Sequence, residues 1–327
     1  MEKNDFKKLA RDVYFKPNME FSGVSGSEAM RNAIKEALHG EYTIYSWNKY
    51  KQDVFQLISV AIDAVLPTLL TNQFDQFADV RTVALGDKPI FEVQDPRQIR
   101  VGRVAAGAND MRRQTITGMH FTIETEWYGA AVYAEFDQFM AGDIDWNELV
   151  NRVAQAFVRH VEEKISDGID KAYTMLGASD KIDGVATIDG LVQLAQRISV
   201  KSGRQVAVYG TKAALSKIAE MAGTPMFSGA MKDELNQNGY LGTVRGLKLI
   251  EIPQAFKVNT DKFAVADDKV IILPEGEKIV GVVVEGASRT IEPEYSTRND
   301  LQMGFETQEK LGVSVLQMKV YGMAKVA

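Results

Sequence analysis

Protein chemistry needs particular side chains at particular spacings, and this chain offers few of them. It has no cysteine and only three histidines, His39, His120 and His160. Disulfides, zinc–thiolate sites, iron–sulfur clusters and cysteine nucleophiles are excluded, and most transition-metal sites lack their usual ligands. His160-Val161-Glu162-Glu163 sets a histidine beside carboxylates, but a zincin needs His-Glu-x-x-His and the second histidine is missing. Gly102 and Gly107 have the spacing of a phosphate loop, yet Ala108-Asn109 stand where a lysine and a hydroxyl residue would grip phosphate and Mg²⁺. Asp143 precedes a helix and Asp145 caps it, which accounts for that pair without catalysis. Asp180-Lys181-Ile182-Asp183-Gly184 and Asp267-Asp268-Lys269 read as turns, and neither continues into a calcium loop with a terminal glutamate. No Gly-x-Ser-x-Gly occurs. The residues point away from an enzyme, and no catalytic residue, cofactor or metal site is expected.

One charge feature invites a partner. Arg97, Arg100, Arg103, Arg112 and Arg113 face a single acid, Asp110, within one glycine- and alanine-rich stretch of a chain whose net charge is −6. Asp143 to Leu176 carries seven acids and four bases, and Glu285 to Lys310 carries six acids and three bases. The arginines suit a solvated loop, phosphate contacts, or guanidinium forks onto carboxylates of another subunit. The overall negative charge favours the subunit contact and leaves only local or weak contact with nucleic acid.

The elements that must carry these residues are legible from periodicity. The chain's 327 residues, 45% apolar and 25% charged, suffice for two domains or one elaborated domain with a sizeable core. The charged N-terminus has no apolar run of a secretory signal. Val54 to Leu70 is interrupted by Gln56, Asp63 and Pro67 and falls short of a membrane span. Residues 1–47 show one clear helix, Glu28 to Leu38 capped by Ser27, with a stripe too short for a core of its own. A second helix is expected from Tyr50 to Leu66, ended or kinked by Pro67.

Val80 to Val93 suggests a short hairpin around Gly86-Asp87-Lys88-Pro89, and Phe121 to Trp127 alternates as a half-buried strand. The stretch between them is poor in core residues and fits a two-stranded excursion. Asp145 opens a capping box with Glu148 for a helix whose stripe runs from Leu149 to Leu176, a spine stopped by Gly177. Beyond it, helices at Ile188–Ile198 and Thr211–Met221 alternate with strands at Gln205–Tyr209, Leu247–Ile252 and Val270–Leu273. Ile279 to Val284 follows, and the chain closes on a strand at Gly312–Val320 with the parity switch of a bulge after Val315.

This order of elements resembles a tailed-bacteriophage major capsid protein of the Hong Kong 97 type, a fold shared with encapsulin shells. The resemblance is carried by Ala64-Val65-Leu66-Pro67 leading into Phe77-Ala78-Asp79-Val80-Arg81, and by Phe136 to Asp145 before the spine. Tyr240 to Leu247, Ile271 to Gly276 and Leu311 to Val315 complete it. It implies an α+β fold with an N-terminal arm at 1–47, a helix leading into the core at 48–78 and an extended β-hairpin loop at 79–127. A peripheral domain with the long spine helix would take 128–178 and 285–327, and an axial α/β domain 179–284.

The implied function is that of a structural subunit. Hexamers and pentamers would tile an icosahedral phage head around double-stranded DNA, assembled in the host cytoplasm and residing in the virion, with no membrane partner. A portal and a scaffold are implied too, the scaffold being a separate protein or a segment already cleaved. Relatives that crosslink covalently use loop lysines; here Lys88 is the only lysine between Asp79 and Trp127, so an uncrosslinked shell is expected. The loop arginines are expected to dock on acids of an adjacent subunit, such as Glu162 and Glu163 or Glu292 and Glu294. The alternatives are an encapsulin-like compartment and, in a different class, a soluble α/β enzyme with its site in 179–284.

Overall fold

The computed structural model describes residues 3–16, 19–21, 23–40, 43–93, 99, 101–103, 113, 115, 118–135, 145–223, 228–254, 256–257, 260–292, 302–316 and 319–326. They form two compact units: residues 1–89, 123–161 and 281–313, and residues 90–122, 162–280 and 314–327.

The first unit sets helices on a five-stranded sheet. Helix α1 (Lys3–Phe15), not foreseen in the sequence, packs with α2 (Gly26–Ala37) and α3 (Ile44–Phe74). The cap of α2 is Ser25, whose hydroxyl accepts the Glu28 N–H at 3.3 Å. The expected cap, Ser27, instead donates to the Asp145 carboxylate at 2.9 Å. Thr43 and Ser46 cap α3 reciprocally.

Contrary to expectation, α3 runs on through Pro67 to Phe74. Ile58, Ile62, Leu66, Leu70 and Phe74 are buried on both sides of the proline, and that burial outweighs the one backbone bond the ring deletes. By length and apolarity alone α3 is long enough to cross a membrane, but half of its most apolar window is buried within the chain, as in the core helix of a packed domain.

The sheet runs β1 (Ala78–Val83), β10 (Val280–Glu285), β12 (Gln302–Val315), β11 (Arg289–Ile291), with β4 (Glu126–Glu135) also paired to β12. Four aromatic rings lock helices to sheet. Phe305 on β12 makes edge contacts with Trp47 and Phe55 of α3 at 6.0 Å each. It also meets Trp146, the first residue of α4 (Trp146–Met175), at 5.8 Å. Asp145 caps α4 as its spacing predicts, accepting the N–H groups of Asn147 and Glu148.

The second unit is built on a six-stranded mixed sheet ordered β5 (Lys181–Val185), β13 (Gly322–Lys325), β9 (Lys269–Pro274), β6 (Val206–Gly210), β8 (Leu247–Glu251), β7 (Thr243–Val244). Helices α5 (Ile188–Ser202) and α6 (Lys212–Ala222) bury Leu191, Ile198, Leu215 and Ile218 against Val208, Leu249 and Ile272. Helix α7 (Gly229–Asn238) is the last helix among the described residues. Tyr173 of α4 donates to the Ile182 carbonyl at 2.9 Å. Lys181, Lys269 and Lys325, one from each of three adjacent strands, sit over its ring at 5.3–5.9 Å.

Three strand expectations change. Asp180 to Gly184 is largely the edge strand β5, parallel to β13, rather than a turn; an edge strand needs no apolar run, and Asp180 is paired with Lys201 and Arg197. The closing strand begins at Gln302 and ends at Val315, where the Leu316 N–H leaves the ladder to donate to the Ile279 carbonyl at 2.6 Å. The parity switch marks that end, not a bulge. The last strand, β13, pairs Met323 with Ile271, so 314–327 groups with the second unit rather than with the rest of 285–327.

The aromatic knot yields the first prediction. Phe305→Ala removes the ring shared by three partners and is expected to cost about 3–5 kcal/mol. Tyr45→Ala, at an exposed ring, should be neutral; urea denaturation of both variants checks the contrast.

Candidate interface site

The basic excursion has a defined root. Its stems are β2 (Ile90–Val93) and β3 (Met119–Thr122), paired antiparallel from Ile90↔Thr122 to Val93↔Met119, with Phe91 and Phe121 stacked at 5.9 Å. The hairpin expected between Val80 and Val93 is therefore two separate pairings. β1 joins the five-stranded sheet and β2 pairs with β3. The half-buried strand expected from Phe121 to Trp127 is likewise split between β3 and β4.

Glu285, at the end of β10, explains both breaks. Its carboxylate accepts the Gly86 N–H at 2.8 Å, just after β1, and the Thr125 hydroxyl, just before β4. Lys310 of β12 donates to the same carboxylate at 2.6 Å. These hydrogen bonds, Lys310 first, hold the Glu285 carboxyl at about 2, well below the ordinary carboxylate range.

Two glycines permit the close approach. Gly286 has a positive φ of 85° and donates to the Val83 carbonyl at 2.8 Å. A Cβ on Gly312 would lie 2.5 Å from the Glu124 carbonyl oxygen. Glu285 was missed in the sequence because it stands in an acidic stretch. The available signal was a lone carboxylate closing an otherwise apolar strand, Val280 to Val284.

Of the expected contact residues, Arg103 and Arg113 are exposed. Arg97, Arg100, Arg112 and Glu294 lie outside the described residues. Glu162 is only 5% exposed, enclosed within its own chain. Glu292 is committed to Lys51 at 2.6 Å, its side chain 9% exposed. Glu163 is half-buried and keeps an accessible face.

Within the excursion Ile90, Ile99, Met119, and Val101 at 93%, are exposed, as is Leu85 just before it in sequence. Among the described residues β4 pairs with β12 alone, and it exposes Trp127, Val132 and Tyr133 along its length. The geometry can present a charged, partly apolar arm and an open strand edge to another molecule. Among the described residues no group of three or more acids or histidines is placed to hold a metal.

The comparisons with known proteins fit this geometry. The model of the family described as "SPbeta prophage-derived putative capsid protein YonB" matches residues 5–325. The capsid structure of cyanophage P-SCSP1u superposes with a TM-score of 0.51 at 12% identity, covering 78% of this chain and 88% of that one. The mature capsid of bacteriophage PhiM1 gives 0.51 at 10% identity over 77% and 86%. The capsid of the native GTA particle gives 0.50 at 15% identity over 79% and 90%. No curated protein matches the chain.

The root makes a pH prediction. Because the folded carboxyl of Glu285 lies below its unfolded value, its contribution is present above pH about 4.5 and fades as pH falls toward about 2. Glu285→Gln should cost roughly 1.5–3 kcal/mol at neutral pH and flatten that part of the acid profile, read by urea midpoints from pH 7 downward.

Proposed function

Because the chain belongs to the YonB family of prophage-derived capsid proteins and has the Hong Kong 97-type capsid fold, we propose that it builds an icosahedral head from hexamers and pentamers of itself. It is a major capsid protein. Its role is structural rather than enzymatic, its place is the virion, and its shell encloses double-stranded DNA. Assembly takes place in the host cytoplasm with a scaffold and a portal.

The observation that carries this reading is the excursion: among the described residues, a short two-stranded stem that leaves Ile90, Ile99, Val101 and Met119 exposed. Two-stranded ribbons of this size are marginal in water, so the segment is built to be completed by a neighbour. In this reading residues 1–47 act as the arm and 79–127 as the loop that laps onto an adjacent copy. The peripheral domain takes 128–178 and 285–313, and the axial domain 179–284 with 314–327, whose strand β13 lies in its sheet.

Arg97, Arg100, Arg103, Arg112 and Arg113 supply the charge that docks there. Glu163 and Glu294 are the acceptors that fit best, since Glu162 and Glu292 already have their places inside one chain. The acidic surface elsewhere, with the chain at −6, keeps contact with packaged DNA weak and non-specific. The family match favours neither an encapsulin-like compartment nor a soluble enzyme with its site in 179–284.

Electron microscopy of the purified protein tests the proposal. Closed shells with packaged DNA are expected, whereas protein cargo without nucleic acid would indicate a compartment and a monodisperse monomer would refute assembly. Reversing Arg97, Arg100 and Arg103 to glutamate should abolish particles while circular dichroism shows a folded subunit. Normal particle yield from that variant would remove the arginines from the interface.

A further inference from the structure

The seam between α3 and the five-stranded sheet is polar where a core is usually apolar. Ser59 of α3 donates its hydroxyl to Thr290 Oγ1 at 3.0 Å and accepts the Thr290 N–H at 3.1 Å. Ser288 donates its hydroxyl to the Ser59 carbonyl at 2.9 Å and its N–H to the Asp63 carboxylate at 2.8 Å. Thr290 and Thr307 join hydroxyls at 3.3 Å. One pleat beyond Thr307 on the same face of β12 stands Glu309, 1% exposed, and among the described residues neither of its carboxyl oxygens has a hydrogen-bond partner. Every other polar group in this run has a partner; this carboxyl, the most costly to bury, has none.

Among the described residues the charged and titratable groups around it are few. From α3 comes Asp63, a second carboxyl, and from α1 comes Lys7, which acts on Asp63 by charge. From β4 comes Tyr128, opposite Glu309 in the strand register, its hydroxyl donating to Glu126. From α4 comes His160, its ring 4.3 Å from that of Tyr128. β11 brings the uncharged Ser288 and Thr290. Lys310, the next residue along β12, is paired with Glu285.

We propose that Glu309 is a proton-held latch: α3 seats on β11 and β12 with this carboxyl neutral, and the seam opens more readily as protons are withdrawn. Burial, then the nearby Asp63 charge, raises the Glu309 carboxyl to about 8, and burial also raises Asp63. The sign follows. Below pH about 4.5 the carboxyl is protonated in both closed and opened forms, and the latch is indifferent to pH. Between about 4.5 and about 8 the opened form ionises while the closed form keeps its proton. The opening equilibrium then rises by up to tenfold per pH unit and levels off above about 8. The latch would set an alkaline limit on how firmly the helical layer α1–α3 is held, in the free subunit or in a shell.

Hydrogen exchange of α3 amides, corrected for intrinsic rates, and urea midpoints are measured from pH 5 to 9 on the full chain. The wild type should lose α3 protection steadily up to pH about 8. Glu309→Gln, which cannot ionise, should be protected equally at both ends of that range; a slope equal to the wild type's would overturn the latch. Should that variant not fold, Asp63→Asn supplies the test. Removing the neighbouring charge moves the levelling-off to lower pH, and an unmoved profile refutes the proposal. Difference infrared spectra of the wild type must also show a protonated-carboxyl C=O band disappearing near pH 8. Its absence would equally end the argument.

Discussion

Glu285 accepts from Gly86, from Thr125 and from Lys310, and so ties together the points where the chain leaves the five-stranded sheet and where it returns. Burying an ion pair is not in itself a source of stability, because the desolvation of both groups offsets most of the attraction. What the arrangement provides is specificity. A carboxylate with several donors aimed at it has one low-energy position, and it fixes the end of β1 and the start of β4 against β10 and β12. Gly286 and Gly312 belong to the same device, since a side chain at either would press on Leu85 or on the Glu124 carbonyl.

The second unit is built on the opposite plan. Its sheet is covered by α5 and α6, and its core is almost wholly aliphatic, from Leu191 and Ile198 to Val270 and Ile272. Such a core needs no buried charge to set its register, because a one-residue slip of any strand would turn its apolar face outward. Its polar detail includes the lysines over Tyr173 and Asp267 accepting from the buried Thr211 and from Gln254. One unit is specified by polar contacts at a few points and the other by shape over its whole interior.

That difference also explains what was legible in the sequence. The spine helix, its Asp145 cap and the strands around Val208 and Ile272 were legible because periodicity and capping are local. The errors fell where a distant residue decides. Pro67 looks like a helix end until the burial of Leu70 and Phe74 beyond it is known. Val80 to Val93 looks like a hairpin because nothing nearby in sequence shows that Glu285 will take the Gly86 N–H. Ser25 and Ser27 are both adequate caps, and only Asp145, far along the chain, claims the second hydroxyl. For the candidate interface, the arginines stood out as a charge anomaly. Which acids were free to meet them was hidden, because Glu162 and Glu292 are spent inside one chain and no local pattern marks them.

In the proposed shell, the root and the excursion divide the energetics of assembly between them. A segment that is ordered only on binding loses part of its contact free energy to the entropy of ordering, which weakens each contact but leaves it reversible. In the proposed lap, stems already paired within the subunit lower the ordering cost of meeting a neighbour. A shell of many copies needs both properties: contacts weak enough individually for misplaced subunits to leave, and stems firm enough that correct placements accumulate. A buried carboxylate at the root, with exposed apolar and basic residues beyond it, divides the segment in that way. In the proposed shell, rigidity is kept where one chain supplies the partners, and exposed apolar and basic residues are left for a neighbour.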